Sequence, residues 1–273
     1  MQYDPVKRSL GNVFNRSPFL RKVFYGLLDL LLLRAWHVHK ELRKWKAAVM
    51  VSPSNHDLII YDAGAGYGQY SYWLSSRLPM VNILALDVKE EQVADCNTFF
   101  KAIGRPQVKF AVGDVTKYVM PDAYRLVICV DVMEHILEDE AALRCYSNSL
   151  KPGGMLIIST PSDQGGSDVH DEGEGSFIEE HVRDGYNIED LKAKCLRNGF
   201  SKVEAKYSYG TPGKISWRLS MKWPLLMLNT SKLFFIILPF YYVLTYPFAY
   251  LLNWLDVSME HGTGTGLIVK AWK

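Results

Sequence analysis

The order of apolar and polar residues changes character along the chain. Leu20, Val23, Phe24, Leu27, Leu28, Leu31 and Leu32 recur at helical spacing, with Arg21, Lys22 and Arg34 beside them. After turn-like pieces around Pro5 and Pro18, this predicts an amphipathic helix from about Phe19 to Val49 that runs on into the basic stretch Lys40–Lys46. From about residue 57, short apolar runs alternate with helical stretches. The runs are Leu58–Ile60, Asn82–Leu86, Val108–Val112, Leu126–Val130 and Met155–Thr160. The helices are Gln69–Arg77, Glu90–Gly104 and Asp139–Leu150, and Lys151–Gly154 reads as a turn. Such alternation predicts parallel strands joined by right-handed crossovers, with ligands at the carboxyl ends of the strands.

The third pattern, from Gly210 to Thr265, is apolar and aromatic. Leu233–Leu252 carries no charged residue, a length that suits a transmembrane helix. A single span would strand the last β-strand on the far side of the bilayer from its sheet. Pro239 and Pro247, with Tyr241, Tyr242, Tyr246, Tyr250 and Trp254, instead predict broken helices at an interface, or an apolar lid folded on the core.

The candidate chemistry gathers around Leu58–Gly68. A buried strand runs straight into Gly64 and Gly66, where the backbone can turn sharply and approach a ligand, and a helix starts near Gly68. A dinucleotide site needs a third glycine where this chain has Gln69. Asp62, two residues before the first glycine, opposes a pyrophosphate but suits a cofactor carrying an ammonium group. That points to S-adenosylmethionine (SAM) and disfavours a nucleotide-dependent oxidoreductase. Three more acidic residues, Asp87, Asp114 and Asp131, fall at strand ends. Asp87 is placed for ribose hydroxyls, and Asp114 for the adenine amine with Val115 against the ring. Any one of the four also reads as a helix cap or turn residue.

The chain resembles the class I SAM-dependent methyltransferases. The matching pieces are Asp62–Gly68, Leu86-Asp87, Gly113-Asp114-Val115, Asp131–Ile136 and Leu150–Gly154. The resemblance implies an α/β, Rossmann-like, seven-stranded and mostly parallel sheet with helices on both faces. Lys202–Tyr209 and Gly266–Trp272 would be its closing pair, with the last strand antiparallel. It implies SAM as cofactor, bound by Asp62, Ala63, Gly64, Gly66, Tyr67, Gly68, Gln69, Asp87, Val88, Asp114, Val115, Asp131 and Val132. The expected organisation is a helical cap at 1–50, a SAM-binding core at 51–209, an apolar insertion at 210–265, and the last core strand at 266–273.

Methyl transfer depends chiefly on alignment, with a base where the acceptor must lose a proton. His181, His170 and His135 are the candidates, His181 ahead of the others. Asp163–Gly175 reads as a loop beside the acceptor pocket. Each histidine also has a packing or solvated reading. Asp131, Glu134 and His135 resemble the E-x-x-E-H metal ligands of quinone O-methyltransferases, but Asp shortens the first ligand. A divalent metal is therefore only a secondary expectation.

Charge adds a partner. The 273 residues sum to +2, yet residues 1–50 hold ten Lys/Arg against three Asp/Glu. A basic leading segment on an acidic body predicts an anionic membrane surface, or else an ordinary solvated helix face. Nucleic acid is disfavoured, because the basic residues lie on a leucine-rich helix. Cys96, Cys129, Cys145 and Cys195 show no metal-ligand spacing, and no secretory signal is evident. The expectation is a cytoplasmic protein held peripherally at the inner face of the membrane. Its activity would be methyl transfer to a lipophilic small molecule such as a phenolic lipid, quinone precursor or aryl-polyene-like acceptor, with oxygen favoured. The alternatives are C-methylation of a similar substrate, or a non-catalytic SAM-binding membrane-associated protein.

Overall fold

The structure, a computed structural model, describes residues 17–50, 58–165, 182–231 and 233–273. Seven strands form one sheet: β1 Ile59–Ala63, β2 Asn82–Asp87, β3 Val108–Val112, β4 Tyr124–Val130, β5 Leu150–Pro161, β6 Lys202–Ser208 and β7 Gly266–Trp272. Their order is β3-β2-β1-β4-β5-β7-β6. Pairs from β3 to β5 are parallel, and β7 is antiparallel to both β5 and β6. The strand order reverses between β1 and β4, which opens a crevice at their carboxyl ends. This is the Rossmann-like arrangement that the resemblance implies.

Successive residues of a strand point to opposite faces, so each central strand feeds two cores. Ile60, Ile83, Leu126 and Ile128 pack under α1 (Pro18–Leu31), α2 (Leu33–Met50), α3 (Gln69–Arg77) and α4 (Glu90–Ala102). Tyr61, Ala63, Val127 and Cys129 pack under α5 (Asp139–Ser149) and α6 (Ile188–Arg197). Strand β5 starts earlier than the sequence predicts. Leu150 pairs with Tyr124, and Met155 with Leu126, across a register shift that absorbs Lys151–Gly154.

The single N-terminal helix expected from Phe19 to Val49 is two helices. Ser17 caps α1 through Leu20 N, with Pro18 in the first turn, and Leu32 adopts an extended conformation (φ −90°, ψ 110°) that ends it. The break lets each helix follow its own surface. α2 lies on the sheet through Val38, Leu42 and Trp45, while α1 lies over the turn after β1. The leucine stripe of α1 is split accordingly: Phe24 and Leu28 pack on the core, whereas Phe19, Val23, Leu27 and Leu30 face outward.

Between β6 and β7 the chain makes a helical hairpin. One arm is α7 (Thr211–Trp217), a π-turn (Arg218–Lys222) and α8 (Trp223–Thr230), and the other is α9 (Phe234–Ser258). The expected broken helices are replaced in α9 by 25 residues of unbroken helix through Pro239 and Pro247. Packing across the hairpin outweighs the proline defects. Tyr241 and Tyr242 donate to the carbonyls of Leu219 and Ser220 in the π-turn (2.7 and 2.8 Å), and Ser216 donates to Ala249 O and Asn253 Oδ1. At the base, the buried Asp256 carboxylate accepts from Gly213 N (2.9 Å), Tyr209 N (3.2 Å) and His37 Nε2 (2.8 Å). Burial alone would raise its pKa, but these bonds and the charges of His37 and His261 bring it below the usual carboxylate value. That junction ties the hairpin to α2 and to the end of β6.

Candidate active site at the carboxyl edge of the sheet

The turn after β1 is shaped by its glycines. Gly64 (φ +71°) has no room for a side chain, because a Cβ there would lie 2.3 Å from Val132 Cγ2. At Gly66 (φ +52°) a Cβ would meet nothing within 4 Å, so this residue faces open space. Gly68 begins α3. The turn is stitched to the next strand by Asp87, which accepts from Gly66 N (2.8 Å) and Lys89 N (2.9 Å). Asp87 therefore holds the loop as well as standing where a ribose would lie, and Val88 beside it is exposed.

Other expected contacts are arranged differently. Asp62 is buried and accepts from Ser71 Oγ (2.6 Å), so it ties β1 to α3 instead of lying open to a ligand's ammonium group. Burial pushes its carboxyl up to about 7. Ala63 is buried in the core. Val115 is also a core residue, not an exposed wall for adenine. Asp114 Oδ1 caps its own turn through Thr116 N and Oγ1, leaving the half-exposed Oδ2 near Lys117 (3.2 Å). Gln69 donates to Asp29 of α1 (2.7 Å). The Tyr67 carbonyl accepts from Arg21 Nη2 (3.0 Å) and from Tyr25 Oη. Arg21, expected to serve a membrane surface, is 3 % exposed and belongs to this clamp. The rest of the basic segment is partly spent as well: Lys40 donates to Val257 O and Lys44 lies 3.4 Å from Glu41.

At the end of β4, Asp131 has a left-handed backbone (φ +52°) and its Oδ2 pairs with Arg34 Nη1. Arg34 sits just after the α1–α2 break, and its backbone N–H donates to Tyr209 Oη (2.9 Å). Glu134 is buried, accepts from Thr160 Oγ1 (3.0 Å), and has its pKa raised by desolvation. His135 closes the short 3-10 turn Met133–His135. With Asp131 drawn to Arg34 and Glu134 to Thr160, the D-x-x-E-H residues do not converge. No group of three or more His, Cys, Asp or Glu suited to a metal occurs among the described residues. His170 and His181 lie outside the described residues, as does 166–175 of the expected loop. Val182 donates to Glu134 O (3.0 Å).

Arg21, Tyr25, Arg34 and Tyr209 border the site although no motif in the sequence marks them. A signal did exist: Arg21 and Tyr25 are one turn apart on α1, and Arg34 interrupts an apolar run. Which way they point depends on the break at Leu32, and no proline or glycine marks that break.

The donor set suits SAM. The open face at Gly66 lies beside the Asp87 carboxylate, and Asp131 supplies a second acid across the crevice, next to Val132 and Gly64. The nearby guanidinium of Arg21 is turned to the Tyr67 carbonyl and the Cys96 thiol.

Residues 60–154 match a family described as a methyltransferase domain. A ubiquinone biosynthesis O-methyltransferase of Chromobacterium violaceum is 29% identical over 101 residues, 37% of this chain and 43% of that protein. A phosphoethanolamine N-methyltransferase of Triticum aestivum is 27% identical over 149 residues, 54% of this chain and 28% of that one. The chain thus spans less than half the length of these curated relatives. Among solved structures, phosphoethanolamine N-methyltransferase 2 of Haemonchus contortus, in complex with phosphomonomethylethanolamine and S-adenosylhomocysteine, superposes with a TM-score of 0.58. It is 18% identical, and the match covers 84% of this chain and 52% of that one. A [4+2]-cyclase superposes at 0.55 and 17% identity, covering 85% and 80%; likeness at this level shows the fold and not the chemistry. The matched domain, the strand order and the glycine turn together support a methyltransferase domain of the class I SAM-dependent type over residues 60–154.

Proposed function

We propose that this chain transfers a methyl group from SAM to a lipophilic small molecule carrying a phenolic or similar oxygen. The observation that carries the reading is the position of the Arg34–Asp131 pair. It lies at the carboxyl end of β4 and directly below the α1–α2 break, where the apolar hairpin rests through Tyr246 Oη on Leu30 O and Tyr250 against Trp36. When bound, SAM supplies an electrophilic methyl group on a cationic sulfur. The chain's part is to hold the cofactor at Gly66 and Asp87, place negative charge from Asp131 near the sulfonium, and keep water from the apolar mouth. His135, in the 3-10 turn after β4, is the candidate base among the described residues for the acceptor's proton. To the half-buried Arg34, paired with Asp131, we assign the orienting of the acceptor oxygen.

The test is methyl-labelled SAM with purified protein and a lipid extract, followed by phase separation. Label in an organic-soluble aryl methyl ether is the expected result. Label on a ring carbon would replace O- by C-methylation, and label only in a water-soluble phosphobase would overturn the lipophilic acceptor. No turnover despite SAM binding would leave a non-catalytic SAM-binding protein.

A further inference from the structure

The hairpin between β6 and β7 carries apolar surface that the fold does not use. Along α9, Ile236, Phe240, Leu244, Phe248 and Leu251 are 54–71 % exposed and Val243 is 74 % exposed. They recur at three- and four-residue spacing, so they form one outward stripe along most of the helix. The opposite face is the one that packs on α7 and the π-turn, through Ala249, Asn253, Tyr241 and Tyr242. A second stripe, Phe19, Val23, Leu27 and Leu30 of α1, also faces out, and its end at Leu30 touches Tyr246 of α9.

We propose that these two adjoining stripes are a bilayer-facing surface, with α9 bedded in a single leaflet and both ends of the hairpin on the same side. Four observations favour lipid over other occupants. First, α9 is long and apolar enough to cross a membrane, yet only 6 % of its most apolar 18-residue window is buried, so it is neither a core helix nor a closed lid. Second, the hairpin leaves from Ser208 and returns to Gly266, which are paired neighbours in the sheet, so a single span is excluded by connectivity. Third, from Ile236 to Leu251 the side chains of the α9 stripe carry no hydrogen-bonding group, whereas a protein interface normally mixes an apolar centre with a polar rim and about one hydrogen bond per 100–200 Å². Fourth, the stripe continues almost to the base, where Trp254 is 55 % exposed, so a helix lying in the plane covers all of it while an upright hairpin would leave its lower half in water. The inference goes beyond the proposed reaction and does not depend on it, because binding is read without SAM or acceptor.

The test is flotation of the purified full chain with phosphatidylcholine vesicles containing phosphatidylglycerol, at low salt and at about 1 M salt, where charge attraction is screened. Wild type should float in both. Ile236→Glu/Phe240→Glu/Leu244→Glu should lower the floated fraction at least tenfold, with thermal unfolding unchanged because the three side chains are exposed. Binding that vanishes in high salt would replace insertion by electrostatic docking and overturn the proposal. Failure of wild type to float, or equal flotation of the variant, would also overturn it. A vesicle-indifferent wild-type dimer made monomeric by the triple substitution would assign the face to a second copy of the chain.

Discussion

Asp87 shows how one residue can serve both the apo loop and a ligand. Its place at the end of β2 suits a ribose, but its oxygens are also the acceptors for Gly66 N and Lys89 N. Asp87→Ala should therefore weaken SAM binding by about 1–3 kcal/mol for the lost hydrogen bonds, and loosen the turn as well. Calorimetry should give the affinity loss, and faster amide exchange at Ala65–Tyr67 the loosening. Gly64 poses the opposite case. A Cβ there enters Val132 at 2.3 Å on a left-handed backbone, so Gly64→Ala should cost about 1–3 kcal/mol of stability, measured by denaturant unfolding. Arg34→Ala should lower kcat roughly tenfold or more while leaving SAM affinity within about twofold, if the guanidinium orients the acceptor; an equal loss of SAM affinity would place Arg34 at the cofactor. At this scale the glycines and strand-end acids were legible, because each is dictated by local backbone geometry. Burial was not: Asp62 and Val115 sit at motif positions, but whether a side chain faces the crevice or the core is set by packing from distant elements.

Among elements, five strands and the helices α3, α4 and α5 follow from the apolar periodicity, since each is bounded by the residues that end it, whereas β6 and β7 follow from the family resemblance. The N-terminal helix pair follows from neither. Leu32 terminates α1 without a breaker residue, because two separate docking surfaces compete for one apolar stretch. The docking of α2 leaves a testable pH signature. His39 is buried, stacks on Trp73 (4.5 Å, 12°), and its Nε2 lacks a hydrogen-bond partner among the described residues, with Asp29 3.5 Å away. Burial, helped by the charges of Arg43 and Arg77, lowers its pKa to about 3. A histidine with a depressed folded value is neutral when folded, and the unfolded chain takes up the proton first. Its contribution is thus intact above about pH 6.5 and is lost as pH falls from there toward 3. His39→Phe keeps an aromatic ring against Trp73 and removes a buried polar atom. It should be near neutral in stability at pH 7, and should reduce the loss seen on going to pH 5. Urea unfolding at the two pH values measures both, and an unchanged slope would contradict the assignment.

At the level of the whole molecule, the hairpin was legible as an apolar insertion but not as a single long helix with a partner arm. Pro239 and Pro247 argue locally for breaks, and the tyrosine and serine bonds that override them come from residues about twenty to forty positions away. In the sequence, Lys232 is the one charged residue from Trp223 to Leu255. A lysine at the bilayer centre costs about 2.5–3.5 kcal/mol on insertion scales, and each Leu, Ile or Phe returns only about 0.3–0.6. Leu233, Phe235, Ile236, Ile237 and Phe240 together roughly offset it, so the lysine weakens the drive toward deep insertion. Lys232→Leu should accordingly strengthen vesicle flotation, and a weaker binding would show that the charge attracts lipid headgroups instead.

The matched domain, the open turn at Gly66 and the Asp87 carboxylate beside it point to one ligand. Titrating the purified chain with S-adenosylhomocysteine by calorimetry, beside NAD under the same conditions, tests that claim most directly. Saturable one-to-one binding of S-adenosylhomocysteine, weakened by about tenfold or more in Asp87→Ala, is the predicted result. Tight NAD binding with no heat from S-adenosylhomocysteine would contradict it.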